Sequence, residues 1–592
     1  MLSEQYLMLH RKLAEGAEGT STKVTLEVIA ATLFCTERNA KLVLRKMQEK
    51  AWITWRAGRG RGNRSVLTFL ANREQLLQES ARQWAEKGEY KRAFELLRTY
   101  GNDIRTNESF VEWMNGHFGF CKEQEGEQSK DSLRLPIYRT IESLDPADCV
   151  YSVQSHMIEQ IFDRLVNYDN ETGRYLPAIA HYWESNDDGT EWTFHLRKGI
   201  VFHDGTELTA DDVKYTVERL RRGKRNGWIV RELNRVDVVT PRIVRFMLNK
   251  PNRIFIRFLS AICMSIIPKH LAEPDEASYW ARPMGTGPFI LETWSEERLV
   301  FHANPHYYQG RPHLDTVHIV IMPEHAIHYE VSWENLLQDP EVRQADNGND
   351  EVVTIESSEG CTSMMTWNMT KSGPHQCVLF RRAVDLVLDR QGMVRELGEH
   401  RLFPARSFIR DKRTLEYQEQ YDPGLAQSLL EQSGYDGTPI IMGTIANHAK
   451  DAAWIKERCA DIGISVIIRE ERMDTILRPD VMKEMDCIVH ALVLPGEEVC
   501  LVENYEQDSS FVKELMDPGL REWVRECIDG ALASPDSKDR FGQLKKIEDR
   551  LRGEAQILFL AHTKFYAHLN ASYKGIVINR LGWLDFKQIW RV

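Results

Sequence analysis

The chain lacks the cysteine spacings that build zinc modules or dense disulfide scaffolds: its ten cysteines, at positions 35, 121, 149, 263, 361, 377, 459, 487, 500 and 527, contain no Cys-x-x-Cys pair. They are read as reduced, mostly buried thiols. The opening residues, MLSEQYLMLHRKLAEGAEGT, hold no unbroken apolar stretch of the ~7–15 residues that an export signal needs. No run of ~18 apolar residues follows anywhere downstream. The expectation is a cytosolic chain without membrane insertion. Phosphate-cradle (G-x-x-x-x-G-K-[ST]), nucleophile-elbow (G-x-S-x-G) and zinc-helix (H-E-x-x-H) motifs are all missing, so no enzymatic activity, cofactor or metal is expected. What the chain does have is length and apolar content: 592 residues, 42% of them hydrophobic, enough for more than one folding unit.

It also has a local reversal of charge. The formal net charge is -12, yet the stretch TERNAKLVLRKMQEKAWITWRAGRGRGNRSVLTFL, residues 36–70, carries nine Lys/Arg against two Glu before Ser65. Apolar residues at helical spacing over 26–33 predict one helix, and a break at Phe34 and Cys35 precedes a second. Thr36 is placed to cap the second helix, with Glu37 in its first turn. Along that helix Ala40, Val43, Leu44 and Met47 form the buried stripe, which leaves Arg38, Lys41 and Arg45 on the opposite face with Asn39 and Lys46 beside them. Two β-rich runs, 52–56 and 65–70, then flank a loop that holds Gly58, Gly60, Gly62, Arg59, Arg61, Asn63 and Arg64. Helix, tight turn, helix and basic hairpin together spell a winged helix-turn-helix, in which the second helix enters the major groove of double-stranded DNA and the wing grips the backbone. Lys and Arg neutralise phosphates and release counterions, while Arg, Lys and Asn read base edges. The DNA-binding candidates are therefore Arg38, Asn39, Lys41, Arg45, Lys46, Arg59, Arg61, Asn63 and Arg64. A solvated basic face is the plain alternative, and the Gly/Arg wing at the correct distance weighs against it.

This segment, in CTERNAKLVLRKMQ, AWITW and GRGRGNRSVLTFL, resembles the DNA-binding domain of the SgrR family of transcriptional regulators. It departs at Ala51, where members of that family commonly have glycine. Two further helices, near 73–86 and 89–100, would complete a head spanning 1–118. Residues 119–132, including the polar KEQEGEQSKDS, are expected to be a linker.

From residue 133 the pattern changes. Ile158, Ile161, Phe162 and Leu165 follow a helical period, and Trp192, Phe194 and Leu196 alternate with Thr193, His195 and Arg197 as in a strand. Thr209 and Asp212 are spaced as a capping box ahead of Val213, Val217 and Leu220. The motifs SLDP, PAIAHYWESNDDGTEWTFHLRKGIVFHDGTELTADDV, IIPKHL, GTGPFIL, NPHYYQGRPHLDTV, FRRAVDLVLDRQGMV and YDPGLAQSLLEQSGY, in that order, are similar to the family 5 solute-binding proteins. The resemblance implies that 133–592 is a two-lobed α/β periplasmic-binding-protein-like fold that closes over a ligand, behind the small mainly-α head. Residues 473–510 depart from the family. In the cleft, Tyr151, Trp367 and Asn368 are the ligand-binding candidates, by position in the family and because an aromatic face with an amide suits a sugar or peptide. His203 and Asp204, in an HDG turn, are read as structural.

The combination implies a cytoplasmic regulator that binds double-stranded DNA and senses a small-molecule effector: a sugar phosphate, a peptide or another small solute. A homodimer on DNA is left open. The alternatives are a transport receptor, which the basic head argues against, and a hydrolase-like role, which only scattered His and acidic residues support.

Overall fold

Tyr6, Leu7 and Leu9 give the N-terminal segment a buried stripe, and it forms helix α1 (Leu2–Leu13). The computed structural model describes residues 1–14, 19–58, 64–101, 109–110, 113–114, 118–125, 128–138, 140–149, 152–169, 172–222, 225–323, 352–398, 401–409, 421–493, 498–570, 573–577 and 584–591. After α1 come β1 (Ser21–Val24), α2 (Leu26–Thr32), α3 (Glu37–Glu49), β2 (Ile53–Arg56), β3 (Ser65–Phe69), α4 (Arg73–Glu86) and α5 (Tyr90–Tyr100). The three strands form an antiparallel sheet in the order β1-β3-β2, so the β2–β3 hairpin is the wing. The Thr36 side chain caps α3 by accepting from Asn39 N, and Ala40, Val43, Leu44 and Met47 are its buried residues, as their spacing predicts. Beyond α3 the chain reverses through Ala51, which has φ 55°. There Ala51 N donates to Gln48 O and Trp52 N to Met47 O. A side chain in this left-handed conformation costs roughly 1 kcal/mol, the reason glycine is favoured at such a position.

The expected linker is a correction. Residues 119–125 and 128–137 form strands β4 (Gly119–Glu125) and β5 (Gln128–Ile137), paired in register from Gly119↔Arg134 to Glu125↔Gln128. β4 is an edge strand, where charged side chains are an advantage, so its polar sequence imitates a linker. Leu133, Leu135 and Ile137 of β5 alternate into the core.

β5 lies beside the parallel strand Thr316–Ile321, continuing a five-stranded sheet through Arg298–Ala303 to Phe289–Trp294. A four-stranded antiparallel sheet (Leu233–Thr240, Ile243–Leu248, Glu191–Leu196, Ala180–Ser185) completes the first lobe. The second lobe is built on a six-stranded sheet in the order Arg401–Pro404, Ile557–Asn570, Val352–Trp367, Cys487–Val493, Ile440–Thr444, Val466–Glu470. Its two central strands are 16 and 14 residues long. At ~3.3 Å per residue they are long enough to run between lobes. Past them the chain returns to the first lobe, where Leu584, Phe586 and Ile589 join Phe289 and Phe301 in one core.

The head is docked on the first lobe. Val320 and Met322, at the end of strand Thr316–Ile321, are buried in the same apolar cluster as Phe94, Leu97, Phe110 and Phe118, with Tyr138 packed against it. Burial of this kind contributes ~25 cal/mol per Å² of apolar surface and resists relative motion.

Candidate functional site

On α3, Arg38, Asn39, Lys41, Arg45 and Lys46 are all exposed. At ~100° per residue they surround the side of the helix opposite the buried stripe. Arg45 Nε lies 2.9 Å from Glu49 Oε1, with both side chains more than half exposed, so solvent screening leaves this pair weak and easily exchanged for a phosphate. In the wing, Arg64 is exposed, and Gly58 N donates to Ser65 Oγ at 3.1 Å across the hairpin base. Arg59, Arg61 and Asn63 lie outside the described residues. The described part thus brings together one helix face and the foot of the wing. That gathers exposed ammonium, guanidinium and amide donors on one side of the head.

The cleft candidates fare differently. Tyr151 lies outside the described residues. Trp367 and Asn368 are engaged within their own lobe, because the strand's period of two turns Met365 and Trp367 into the second lobe's core. Trp367 is 2% exposed, in a cluster with Phe380, Trp454 and Leu558. Its ring stacks on His375 at 5.8 Å, with the planes 4° apart. Asn368 is 0% exposed, and its amide is consumed within its own lobe. Nδ2 donates to Met482 O and Met485 O, while Oδ1 accepts from Thr370 N and Thr370 Oγ1. Both residues hold the second lobe together.

The opposite face of the same strand carries Thr362, Met364 and Thr366. Met364 packs in a cluster that includes Phe246, Phe255 and Phe258 of the first lobe. Thr362 Oγ1 lies 2.9 Å from His562 Nδ1, and Thr366 Oγ1 2.8 Å from His490 Nε2. Burial drives the His490 pKa down to about 3, so this imidazole is neutral. Among the described residues its Nδ1, like Asn504 Nδ2 and Tyr505 Oη, is buried without a hydrogen-bond partner. Unpaired buried polar atoms cost ~1–3 kcal/mol each, and a native fold carries only a few per ~100 residues. All three fall within residues 473–510, the segment whose sequence departs from the family. Departure from the family's pattern was the available signal, but the sequence does not say which side chains turn inward.

The seam between the lobes is closed by charge and backbone contacts. Arg231 of the first lobe places Nη1 2.6 Å from Glu506 and Nη2 2.8 Å from Asp529, and Lys250 Nζ lies 2.9 Å from Asp529. Arg253 N donates to Leu532 O, and Gln507 Nε2 donates to Cys149 O and Asn226 Oδ1. Glu506 and Asp529 belong to helices Glu498–Glu506 and Pro518–Ala533, which precede the second lobe's long strand. The recess here, lined by Trp228, Phe255 and Phe258 as well, has its opposite charges already neutralising one another. It reads as a clasp.

His203 and Asp204 are structural. Gly285 N donates to His203 Nδ1, leaving Nε2 to donate to Gly287 O at 3.0 Å. Asp204 accepts from Thr206 N and pairs with His270 Nε2 at 2.7 Å. The glycines are required: a Cβ on Gly285 would stand 2.3 Å from Ile161 O.

Comparison with known proteins separates the same two parts. Residues 2–118 match the family described as sugar transport-related sRNA regulator N-term, and residues 174–492 match the bacterial extracellular solute-binding proteins, family 5 middle. The chain is similar to the uncharacterized protein YhjP of Bacillus subtilis (strain 168), 30% identical with 97% of this chain and 96% of that protein covered. It is similar to the HTH-type transcriptional regulator SgrR of Escherichia coli (strain K12), 25% identical over 100% of this chain and 98% of that one. Among solved structures, the oligopeptide-binding protein AppA of Bacillus subtilis, in complex with a nonapeptide, superposes with a TM-score of 0.67 at 18% identity, covering 80% of this chain and 100% of that one. The AppA likeness carries the fold of the lobes. Among the described residues no helix is long and apolar enough to cross a membrane.

Proposed function

We propose, for a chain that belongs to the SgrR family of regulators with a family 5 solute-binding domain, that it is a DNA-binding transcriptional regulator whose lobes capture a small solute and thereby set how the head meets duplex DNA. The observation that carries this reading is the shared core of Val320, Met322, Phe94 and Phe118, which makes the head and the first lobe one body. A solute that changes the closure of the second lobe then changes what stands beside the recognition helix, without the helix itself deforming. Arg38, Asn39, Lys41, Arg45, Lys46, Arg59, Arg61, Asn63 and Arg64 are the proposed DNA contacts, and DNA as partner places the protein in the cytoplasm. Half-sites about one helical turn (~34–36 Å) apart would seat two copies as a homodimer.

For the solute, the proposed contacts are His490, Asn504 and Tyr505, whose unpaired atoms are uncharged hydrogen-bonding groups. That chemistry favours a peptide or a similar hydrogen-bonding solute over a sugar phosphate, which would call for Arg or Lys. Binding without turnover is the proposed mode of action. A transport receptor would share the lobes but has no use for the basic head.

Native mass spectrometry of the freshly purified full chain identifies a retained solute by its mass. Duplex affinity is then measured with that solute removed and restored. Coupling of ~1–3 kcal/mol predicts a change of roughly 5- to 150-fold. Equal affinity in both states would refute the sensor reading.

A further inference from the structure

We propose that Leu42 is a base-reading residue, which sets its methyl groups against the C5-methyl of a thymine in the major groove, between the polar contacts made by its neighbours. The inference rests on the head's being a DNA-binding domain and adds a specificity-determining residue to it.

The observation is one of placement. α3 is a 13-residue helix whose buried residues are Ala40, Val43, Leu44 and Met47. At ~100° per residue the direction opposite that stripe falls between Arg38, Leu42, Arg45 and Glu49, so Leu42 sits near the crest of the outward face. It is 51% exposed. A single exposed leucine needs no explanation by itself. Here, however, every other exposed residue of α3 is charged or carries an amide, and Arg38, Asn39, Arg45 and Lys46 ring this one apolar side chain.

The chemistry of the ring selects the occupant. A membrane or a protein groove that receives a helix takes a broad apolar face. A lone leucine framed by cations meets instead a surface that is anionic at its edges and has an isolated apolar point at its centre. Duplex DNA presents that pattern: phosphates along both rims and, among the base-edge groups of the major groove, the thymine methyl as the apolar one. The long cationic side chains reach outward to the rims or to guanine, while the short leucine at the crest meets what projects from the groove floor.

The test uses the full chain. Duplexes are selected from a random-sequence pool, the winning duplex is resynthesised with each thymine in turn replaced by deoxyuracil, and affinities are measured by fluorescence anisotropy. The replacement removes one methyl and keeps every hydrogen-bonding group. Wild type should lose about three- to tenfold at one position per bound head. Leu42→Ala should bind both duplexes equally, with an unchanged salt slope on an unselected duplex, because its side chain is not part of the core. Indifference of the wild type to every methyl, or an undiminished methyl effect in Leu42→Ala, would overturn the proposal. So would loss of a dimer in Leu42→Ala by analytical ultracentrifugation, which would make this face a contact between copies. If no duplex is selected at all, the DNA-binding reading of the head falls first, and that outcome is distinct from the others.

Discussion

The head and the lobes keep their proposed functional groups in opposite places. The head spends its apolar residues on a small core and leaves guanidinium, ammonium and amide groups in water along one helix. The lobes draw theirs inward: His490, Asn504 and Tyr505 hold polar atoms away from solvent, and Arg231 is spent on Glu506 and Asp529 across the seam. Each placement suits a different partner. A polyanion the size of DNA is met on the surface, where charge attracts from a distance and salt screens it. A small solute is met in the interior, where unpaired hydrogen-bonding groups are strong because water is excluded.

The sharpest way to break this comparison is to cut the head from the lobes without touching either function. Met322→Asp puts an unpaired carboxylate into the shared core, with an expected loss of about 3–5 kcal/mol. Scanning calorimetry should then show the head melting apart from the first lobe. An unsplit, unshifted transition would mean that the two are not one body.

Acid should act on the lobes more than on the head. Burial holds His156 at a pKa of about 4 and His490 at about 3, against an ordinary value of 6.5. Between 6.5 and those values the unfolded chain binds the extra protons, so stability falls as pH falls. The loss at pH 5 is about 2 kcal/mol for each histidine. Asp163 opposes it: burial raises its carboxyl to about 6, so the folded state takes up that proton first, returning roughly 1 kcal/mol at pH 5. Denaturant melts at pH 7 and pH 5 should show a net loss, and a net gain would contradict these environments.

Arg231→Ala strips the clasp and leaves Glu506, 6% exposed, without its main partner. The expected cost is about 1–3 kcal/mol, because Arg231 itself is partly solvated. Small-angle scattering should show an expanded radius of gyration, and an unchanged radius would mean that packing alone keeps the lobes shut. The smallest effect belongs to the head: Ala51→Gly relieves the φ of 55° and should add about 0.5–1 kcal/mol, read as a raised melting midpoint.

How much of this was legible in the sequence follows the same division. Helix α3 was readable to the residue, because one helix with a 3.6-residue period settles both its buried stripe and its exposed face. Leu42 does not stand out in the sequence, since charge dominates its neighbours on that face. α1 and β1 carry no motif that marks them in the sequence. The β4–β5 hairpin was hidden by its own composition, since a charged edge strand and a linker look alike until the partner strand is seen. In the cleft the family's pattern points to Trp367, whose ring the folded chain turns into the second lobe's own core. Which face of a strand looks into a cleft is decided by what packs on each side of the sheet, and no local pattern contains that. His490 and Tyr505 become visible as candidates only in the folded chain, where no partner for them stands among the described residues.

The central claim, that the head of this acidic chain is built for nucleic acid, is tested most directly by the salt dependence of duplex binding by the full chain between 50 and 200 mM salt, conditions over which several phosphate contacts lose orders of magnitude in affinity. The account predicts a linear fall of log K with log salt, weakened binding in Arg45→Ala, and a slope reduced by about 1 in Arg61→Ala. No measurable association, or an affinity indifferent to salt and to both substitutions, would contradict it.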